Sequence, residues 1–284
     1  MKKAIIIAEV GCTHIGDMDR AKKLIRLAKN SQADVVKFQK RNPPESVPKN
    51  LWNKPHPNKM FSYGDTYLEH RWNLEFSQSQ HAILKKWCEK IGIIYSTSVW
   101  DMTSAREIVE LNPEFIKVPS PCNNRFEIID YLFENYKKQV HVSLGMTTEK
   151  ERYTIIDRYV KKYPTRCVFY HCVSGYPVSF KQQYLKEIRN LNTNYELETH
   201  QIGYSNHGLG IALETAAYVL GARYFERHFI DSRVFLHTDA SCSLEPQGME
   251  KLVRNLRALE SALENKPKDL DPIEQEQKDK LRPD

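Results

Sequence analysis

Eight short apolar segments, each followed by a longer segment with helical periodicity, constrain this chain more than any other feature. The expected strands run over 5–10, 34–39, 93–97, 115–118, 140–144, 167–172, 202–205 and 224–229, and the expected helices over 19–32, 79–91, 103–111, 125–138, 149–162, 181–195, 211–220 and 246–263. In the longer segments apolar residues recur three and four apart, as one face of a helix requires. Leu24, Leu27 and Ala28 share a face of the first, with Arg20, Lys23 and Arg26 elsewhere, and Leu252, Leu256, Leu259 and Leu263 line the last. Strictly alternating strands and helices imply a parallel sheet, and eight is the number that closes a (β/α)8 TIM barrel. The 284 residues suit one such barrel, which takes roughly 250. An open doubly wound sheet is the competing architecture. It is disfavoured because Gly11 and Gly16 lack the G-x-G-x-x-G spacing after the first strand. We expect the barrel over 1–265 and a polar tail, outside the core, over 266–284.

Composition narrows the function classes. The net charge is +6, with Lys and Glu interspersed along the helices. No basic stripe interleaved with aromatics marks a nucleic-acid surface, whereas the excess suits a pocket for an anionic small molecule. No run approaches the ~20 apolar residues of a membrane span. The opening Met1-Lys2-Lys3-Ala4-Ile5-Ile6-Ile7-Ala8 is superficially like a secretory signal, but Glu9 interrupts it before an apolar core or cleavage site forms. The expected location is therefore cytoplasmic. The six cysteines, Cys12, Cys88, Cys122, Cys167, Cys172 and Cys242, include no Cys-x-x-Cys pair and read as reduced thiols. Cys88 falls in a helical pattern and reads as packing. Residues 41–76 break the regularity. They are long, polar and rich in Pro, Asn and aromatics, and they follow the second strand, on the face where barrel active sites form. An ordered flap or a subunit contact is expected there.

Alternate residues of a barrel strand face the interior. Lys37 and Gln39 share one face of the second strand, and Lys117 lies shortly before Pro119 and Ser120 on the fourth. Interior lysines call for an anion; the plain alternative is that both snorkel outward at strand ends. Gly203, Ser205 and His207 share a face of the seventh strand, and Glu226 and His228 a face of the eighth. Two imidazoles at adjacent strand ends suit a divalent metal, though a lone strand-end histidine is ordinarily a hydrogen-bonding core residue. Glu9 ends the first strand as a buried carboxylate, available to a metal or substrate, or committed to an ion pair with an interior lysine.

Nine segments in register resemble the sialic acid synthase family. Ile7-Ala8-Glu9-Val10-Gly11-Cys12-Thr13-His14-Ile15-Gly16-Asp17 is similar to its opening IAEIG-x-NH-x-G motif, and Val36-Lys37-Phe38-Gln39 matches VKFQ. Tyr95-Ser96-Thr97 resembles ST-P-F, Ile116-Lys117-Val118-Pro119-Ser120 resembles K-I-x-S, and Ser143-Leu144-Gly145-Met146 resembles S-T-G-M. His171-Cys172-Val173-Ser174-Gly175-Tyr176-Pro177 is close to HCTS-x-YP, and Gly203-Tyr204-Ser205-Asn206-His207-Gly208-Leu209-Gly210 to GYSDHTLG. Glu226-Arg227-His228-Phe229 matches EKHF, and Ser243-Leu244-Glu245-Pro246 matches SLEP.

The resemblance implies a (β/α)8 barrel enzyme that condenses phosphoenolpyruvate with a sugar aldehyde, N-acetylmannosamine or a related amino sugar, using Mn²⁺ or Mg²⁺. It implies that His207 and His228 ligate the metal and that Lys37 and Lys117 hold the phosphoenolpyruvate anion. Thr97, Ser120, Ser143, Ser174 and Ser205 would surround its phosphate and carboxylate. Gln39, Tyr176 and Asp239 would face the sugar, and Glu9 would sit beside the reacting centre. The chain departs from the pattern in four places. Ser120-Pro121-Cys122-Asn123-Asn124 lacks the family's acid, Leu236-His237-Thr238-Asp239-Ala240 keeps the Asp of GPDH without the following His, Thr13 replaces Asn, and Ser98-Val99-Trp100 replaces TPF. The family's antifreeze-like domain, which supplies an Arg to the N-acetyl group across a swapped dimer, has no counterpart before Asp284. These departures imply an acceptor other than N-acetylmannosamine, and one lacking the N-acetyl group stays open. A homodimer through the barrel's helix faces stays open. Two other readings also stay open: a non-catalytic barrel that binds an anionic sugar, and a Schiff-base aldolase using Lys117.

Overall fold

The computed structural model describes residues 3–235, 237–267 and 269–283. Eight parallel strands close on themselves in sequence order: β1 (Ile5–Gly11), β2 (Val35–Lys40), β3 (Ile94–Val99), β4 (Phe115–Val118), β5 (Gln139–Ser143), β6 (Cys167–Cys172), β7 (Ile202–Asn206) and β8 (Tyr224–His228). The barrel expectation therefore holds. The strands are buried on both faces because helices cover the outside and side chains fill the inside. Around the sheet run α1 (Met18–Asn30), α2 (Pro43–Ser46), α3 (Tyr67–Asn73), α4 (Gln78–Ile91), α5 (Met102–Leu111), α6 (Phe126–Asn135), α7 (Glu149–Val160), α8 (Lys186–Tyr195), α9 (Ala212–Val219), α10 (Pro246–Ala262) and α11 (Pro272–Leu281).

Local chemistry sets the helix boundaries. Asp17 caps α1 by accepting from Asp19 N and Arg20 N, and reciprocal capping boxes start α3 (Thr66, Glu69), α4 (Ser77, Gln80) and α7 (Thr148, Glu151). The helix expected over 181–195 is broken. A 3-10 turn, Phe180–Gln182, precedes α8, and Tyr184 between them has φ +43°. The helix expected over 125–138 ends at Asn135, since Tyr136 turns inward and its hydroxyl donates to Pro113 O at 2.6 Å. On α10, Leu252 and Leu256 are buried and Leu259 is partly so, but Leu263 lies past the helix end and is exposed; Met249 and Val253 complete the buried face.

Two apolar layers result. Between sheet and helices lies the main core. Inside the barrel Ile7, Val35, Phe115, Val168 and Tyr170, with Ile5 and Tyr224 against them, form a plug that closes its lower half. Residues 41–76 are an ordered excursion over the upper face, built from α2, α3 and two 3-10 turns. It is tied down at Gly16, where an added Cβ would lie 2.2 Å from Asn73 O. In the tail, α11 buries no residue. The six cysteines are free and buried. Among the described residues, no helix is long and apolar enough to cross a membrane.

Candidate active site

The interior plug dictates what stands above it. Two residues on from plug members Ile7, Val35, Phe115 and Tyr224, period-two alternation places Glu9, Lys37, Lys117 and Glu226 on the same inner face. All four are buried. Glu9 and Lys37 are ion-paired, Lys117 Nζ lies 2.5 Å from Glu226 Oε1, and Lys37 Nζ lies 3.6 Å from Glu226 Oε2. The interior lysines therefore do not snorkel outward, and Glu9 takes the ion pair considered for it. Lys37 Nζ also donates to Ser98 Oγ at 2.7 Å, Gln39 Nε2 to Glu9 Oε1 at 3.1 Å, and Ser205 Oγ to Glu226 Oε1 at 3.1 Å.

Burial penalises both carboxylates, but their surroundings separate them. Burial raises Glu9 to about 7, against the pull of Lys37. Glu226 is buried too, yet Lys117 and Lys37 together hold it well below the usual carboxylate range. Burial opposes the charge on Lys37, and Glu226 and Glu9 more than offset it, leaving its ammonium above its ordinary value. Two carboxyl groups with opposed protonation in one buried cluster suit proton transfer.

Above this floor opens a cavity of about 440 Å³. On the β4–β7 side hydroxyls converge: Ser120 Oγ lies 2.8 Å from Ser143 Oγ, and Ser174 and Ser205 line the same wall. Gly145 makes the approach feasible, since an added Cβ would meet Ser120 Oγ and Ser174 Oγ at 2.5 Å each. Asn123 Nδ2 donates to Ser143 O at 3.0 Å and Gly145 O at 2.9 Å, so the acid-free turn after β4 braces the turn after β5.

On the β7–β8 side the His207 and His228 rings lie 5.3 Å apart, with the half-exposed Tyr176 ring 4.3 Å from His207. His207 Nδ1 lies 3.1 Å from Val173 O, which only accepts, so that nitrogen carries a proton and, in the neutral ring, Nε2 keeps the lone pair. His228 Nδ1 is buried without a hydrogen-bond partner, and Asp239 Oδ2 stands 3.6 Å away. Burial, chiefly, lowers His228 to about 4, so it is neutral at pH 7. Burial opposes charge on His207 as well, but Cys172 and the Val173 carbonyl raise it. Among the described residues, no three His, Cys, Asp or Glu side chains are grouped as a metal cage.

Of the expected site residues, the cavity gathers Glu9, Lys37, Gln39, Lys117, Ser120, Ser143, Ser174, Tyr176, Ser205, His207, His228 and Asp239. Thr97 requires a correction. It pairs with Ile116 beside Phe38, residues of the outer core, so it points away from the cavity; its neighbour Ser98, in register with Gln39 and Lys117, points in. Leu236 lies outside the described residues. The cavity also holds Arg41 and Arg71, which drew no attention in the sequence, and His237, quoted there only within the segment around Asp239, while Glu226 was noted there only for the face it shares with His228. Arg41 was within reach, since it continues the 37, 39, 41 alternation. Arg71 was not, because it arrives from α3. A second cavity of about 670 Å³, between α7 and α8, meets the first at Met146, Cys172 and Ser174 but holds none of the charged cluster.

A family model described as the NeuB family matches residues 24–268. The chain is 36% identical over 279 residues to N-acetylneuraminate-9-phosphate synthase of Homo sapiens, covering 97% of this chain and 76% of that one. It is 31% identical over 267 residues to N,N'-diacetyllegionaminic acid synthase of Campylobacter jejuni, covering 93% and 78%. Among solved structures, the N-acetylneuraminic acid (sialic acid) synthetase of Leptospira borgpetersenii in complex with citrate superposes with a TM-score of 0.82 at 25% identity, covering 99% of this chain and 93% of that one.

Proposed function

This chain belongs to the NeuB family and is a synthase of the sialic acid type, and from that premise we propose that it condenses phosphoenolpyruvate with a sugar aldehyde to give a 3-deoxy-2-ulosonic acid and phosphate. One observation carries the reading: a single cavity holds two lysines and a cradle of serine hydroxyls around Gly145 together with the pair of histidines. Lys37, Lys117 and the hydroxyls of Ser120, Ser143, Ser174 and Ser205 receive the phosphate and carboxylate, where charge-assisted hydrogen bonds suit such an anion. Gln39, Tyr176 and Asp239 face the sugar.

His207 and His228 fit a divalent cation, Mn²⁺ or Mg²⁺, as two imidazole ligands. The lone pair left on His207 Nε2, the unpartnered His228 Nδ1 and the Asp239 carboxylate nearby support the fit. When bound, the cation supplies Lewis acidity to the aldehyde oxygen. The rest is the work of the chain's own groups. The serine cradle and lysines orient phosphoenolpyruvate so that its C3 forms the new bond to the aldehyde carbon. Water then bonds to C2, the bond between C2 and the bridging oxygen breaks, and phosphate leaves with that oxygen. One proton of that water passes through Glu9 to the new hydroxyl, and the other leaves with the phosphate. A carboxyl group near 7 can both take and give a proton at neutral pH.

The acid-free turn after β4 favours an acceptor other than N-acetylmannosamine, because Asn123 is spent on bracing carbonyls rather than on a sugar. The Schiff-base reading is disfavoured: a nucleophilic lysine needs its nitrogen free to attack, and Lys117 Nζ is engaged by the Glu226 carboxylate 2.5 Å away. The test is phosphate release from phosphoenolpyruvate with a panel of free and phosphorylated aldoses. Chelation and His228→Ala are each expected to abolish it, and borohydride to trap nothing on Lys117. Full activity of metal-stripped protein would refute the metal role, and N-acetylmannosamine outperforming every other aldose would refute the altered acceptor.

A further inference from the structure

The second cavity, of about 670 Å³ between α7 and α8, has no part in the chemistry above. Its size falls within the range of small-molecule sites, roughly 300–1,000 Å³. The groove is open because α8 starts late. Phe180–Gln182 form a 3-10 turn, Tyr184 has φ +43°, and the helix begins only at Lys186, with Ile188 and Leu191 as its buried residues. The upper groove therefore lacks the apolar turn that would close it against α7. On the α7 side, Met146 has φ +59°. Bulky residues rarely take this left-handed backbone, and such strain collects at ligand-holding positions. Met146 is 63% and Tyr184 62% exposed, although both side chains are large.

The lining offers hydrogen bonds and ring faces, with no cation to spare. Arg152 Nη1 lies 2.5 Å from Glu187 Oε2, so its charge is paired, while its buried Nε lacks a hydrogen-bond partner. Glu149 adds a second carboxylate, and no lysine or further arginine lines the cavity. His171 is buried; its Nε2 donates to Gln183 O at 2.8 Å, so in the neutral ring Nδ1 keeps a lone pair. Burial, chiefly, holds His171 below its ordinary value, which keeps the ring neutral at pH 7. Asn190 donates through Nδ2 to Glu187 Oε1 at 2.8 Å, leaving its Oδ1 to accept. Asn194 accepts at Oδ1 from Thr193 Oγ1 at 3.0 Å, leaving its Nδ2 to donate. Tyr184 and Tyr195 add aromatic faces. Such faces suit the C–H side of a pyranose, whose hydroxyls then meet the amides and the imidazole. The excess of carboxylate disfavours an anion.

We propose that this cavity is a second ligand site, for an uncharged saccharide, and that its occupant acts on the serine cradle. The two cavities share Met146, Cys172 and Ser174. Ser174 Oγ is one of the two oxygens that crowd Gly145. Cys172 Sγ lies 4.0 Å from Ser174 Oγ and 3.9 Å from His207 Nδ1. A ligand that shifts this wall therefore shifts the cradle and His207 with it, and the coupling is reciprocal. The binding goes beyond the synthase reading; only its coupling to phosphoenolpyruvate rests on that reading.

The probes are methyl β-glucoside, methyl N-acetyl-β-glucosaminide and trehalose, none of which has a free aldehyde to react. Calorimetry with the full-length protein should give a Kd of about 1 mM or tighter for at least one of them, and methyl β-glucuronide should bind at least tenfold more weakly than methyl β-glucoside. Tyr184→Gly, which removes the ring and suits the positive φ, and Asn194→Ala should each weaken the best probe at least fivefold. Both residues are exposed, so thermal midpoints close to that of the parent chain separate lost binding from misfolding. His228→Ala should leave probe binding intact. Saturating probe should change phosphoenolpyruvate affinity at least threefold, and Tyr184→Gly should abolish that change. No binding of any probe at 10 mM, glucuronide binding as tightly as glucoside, or binding lost in His228→Ala but kept in Tyr184→Gly would each overturn the site. Probe binding that leaves phosphoenolpyruvate affinity unmoved would overturn the coupling. A protein that binds the probe but no phosphoenolpyruvate would overturn the synthase reading and leave the site standing.

Discussion

Gly145 is the residue whose identity the candidate site tolerates least. A methyl group there would push apart Ser120 and Ser174, which converge from the turns after β4 and β6. Gly145→Ala should fold, because the residue lies in a turn above the core. We expect its KM for phosphoenolpyruvate to rise at least tenfold, measured by phosphate release, with acceptor KM little changed; an unaltered phosphoenolpyruvate KM would refute the cradle. At this scale the sequence was legible wherever parity was unambiguous. Lys37, Lys117, Ser205, His207 and His228 each sit two residues from a neighbour of known facing. Thr97 was misread because β3 runs Ser96-Thr97-Ser98, with hydroxyls on both faces, so composition could not say which side lay inward.

Loops become rigid sites when an element fastens them. The turns after β7 and β8 carry His207 and Asp239, and one side chain holds both. Arg227 points outward from β8, between Glu226 and His228. It donates to Glu214 Oε1 at 2.5 Å, Gly210 O at 2.6 Å, Gly208 O at 2.8 Å and Cys242 O at 3.3 Å. Asn206 Nδ2 reaches the same Glu214 oxygen at 2.7 Å. Arg227 and Glu214 are both 1% exposed, so removing one strands a buried charge. Arg227→Met should cost about 3–5 kcal/mol in urea unfolding, and Arg227→Met with Glu214→Gln should cost clearly less than the sum of the two single changes. Strict additivity would show that the pair is not coupled. The excursion over 41–76 is the element the sequence described least. Its length and aromatic content were visible, but α3 and the inward aim of Arg71 depend on packing against the turn at Gly16.

The whole molecule carries a pH dependence set by buried histidines that do not line the cavity. His14 stacks on Phe76, His81 lies 2.7 Å from Tyr95 Oη, and His141 stacks on Phe115. Burial, chiefly, lowers all three, His81 to about 3. An unfolded histidine titrates near 6.5. Below that pH the unfolded chain takes up protons that the native chain refuses, so this stability is present above about 6.5 and is lost as pH falls. Glu9, raised to about 7, acts in the opposite sense, because the native state holds its proton more tightly than the unfolded chain. The effect of one imidazole is therefore best isolated by difference. His81→Leu should flatten the slope of unfolding free energy against pH by up to about 1.4 kcal/mol per unit between pH 6 and 4. An unchanged slope would mean that His81 is protonated in the fold.

By itself the sequence determined the eightfold alternation, and with it the barrel, because period-two and period-3.6 patterns are local consequences of backbone geometry. It also determined the inner face of most strands, since a plug residue fixes the direction of every second neighbour above it. What only the tertiary structure decided is which of those inward groups meet. Glu9 and Glu226 hold the same place in the strand pattern, each two residues above a plug residue, Ile7 and Tyr224. Yet closure of the barrel sets Glu226 between two lysines and leaves Glu9 with one, and that difference in neighbours drives one carboxyl down and the other up. Distances across a closed sheet are not written along the chain, and electrostatic pairing depends on those distances.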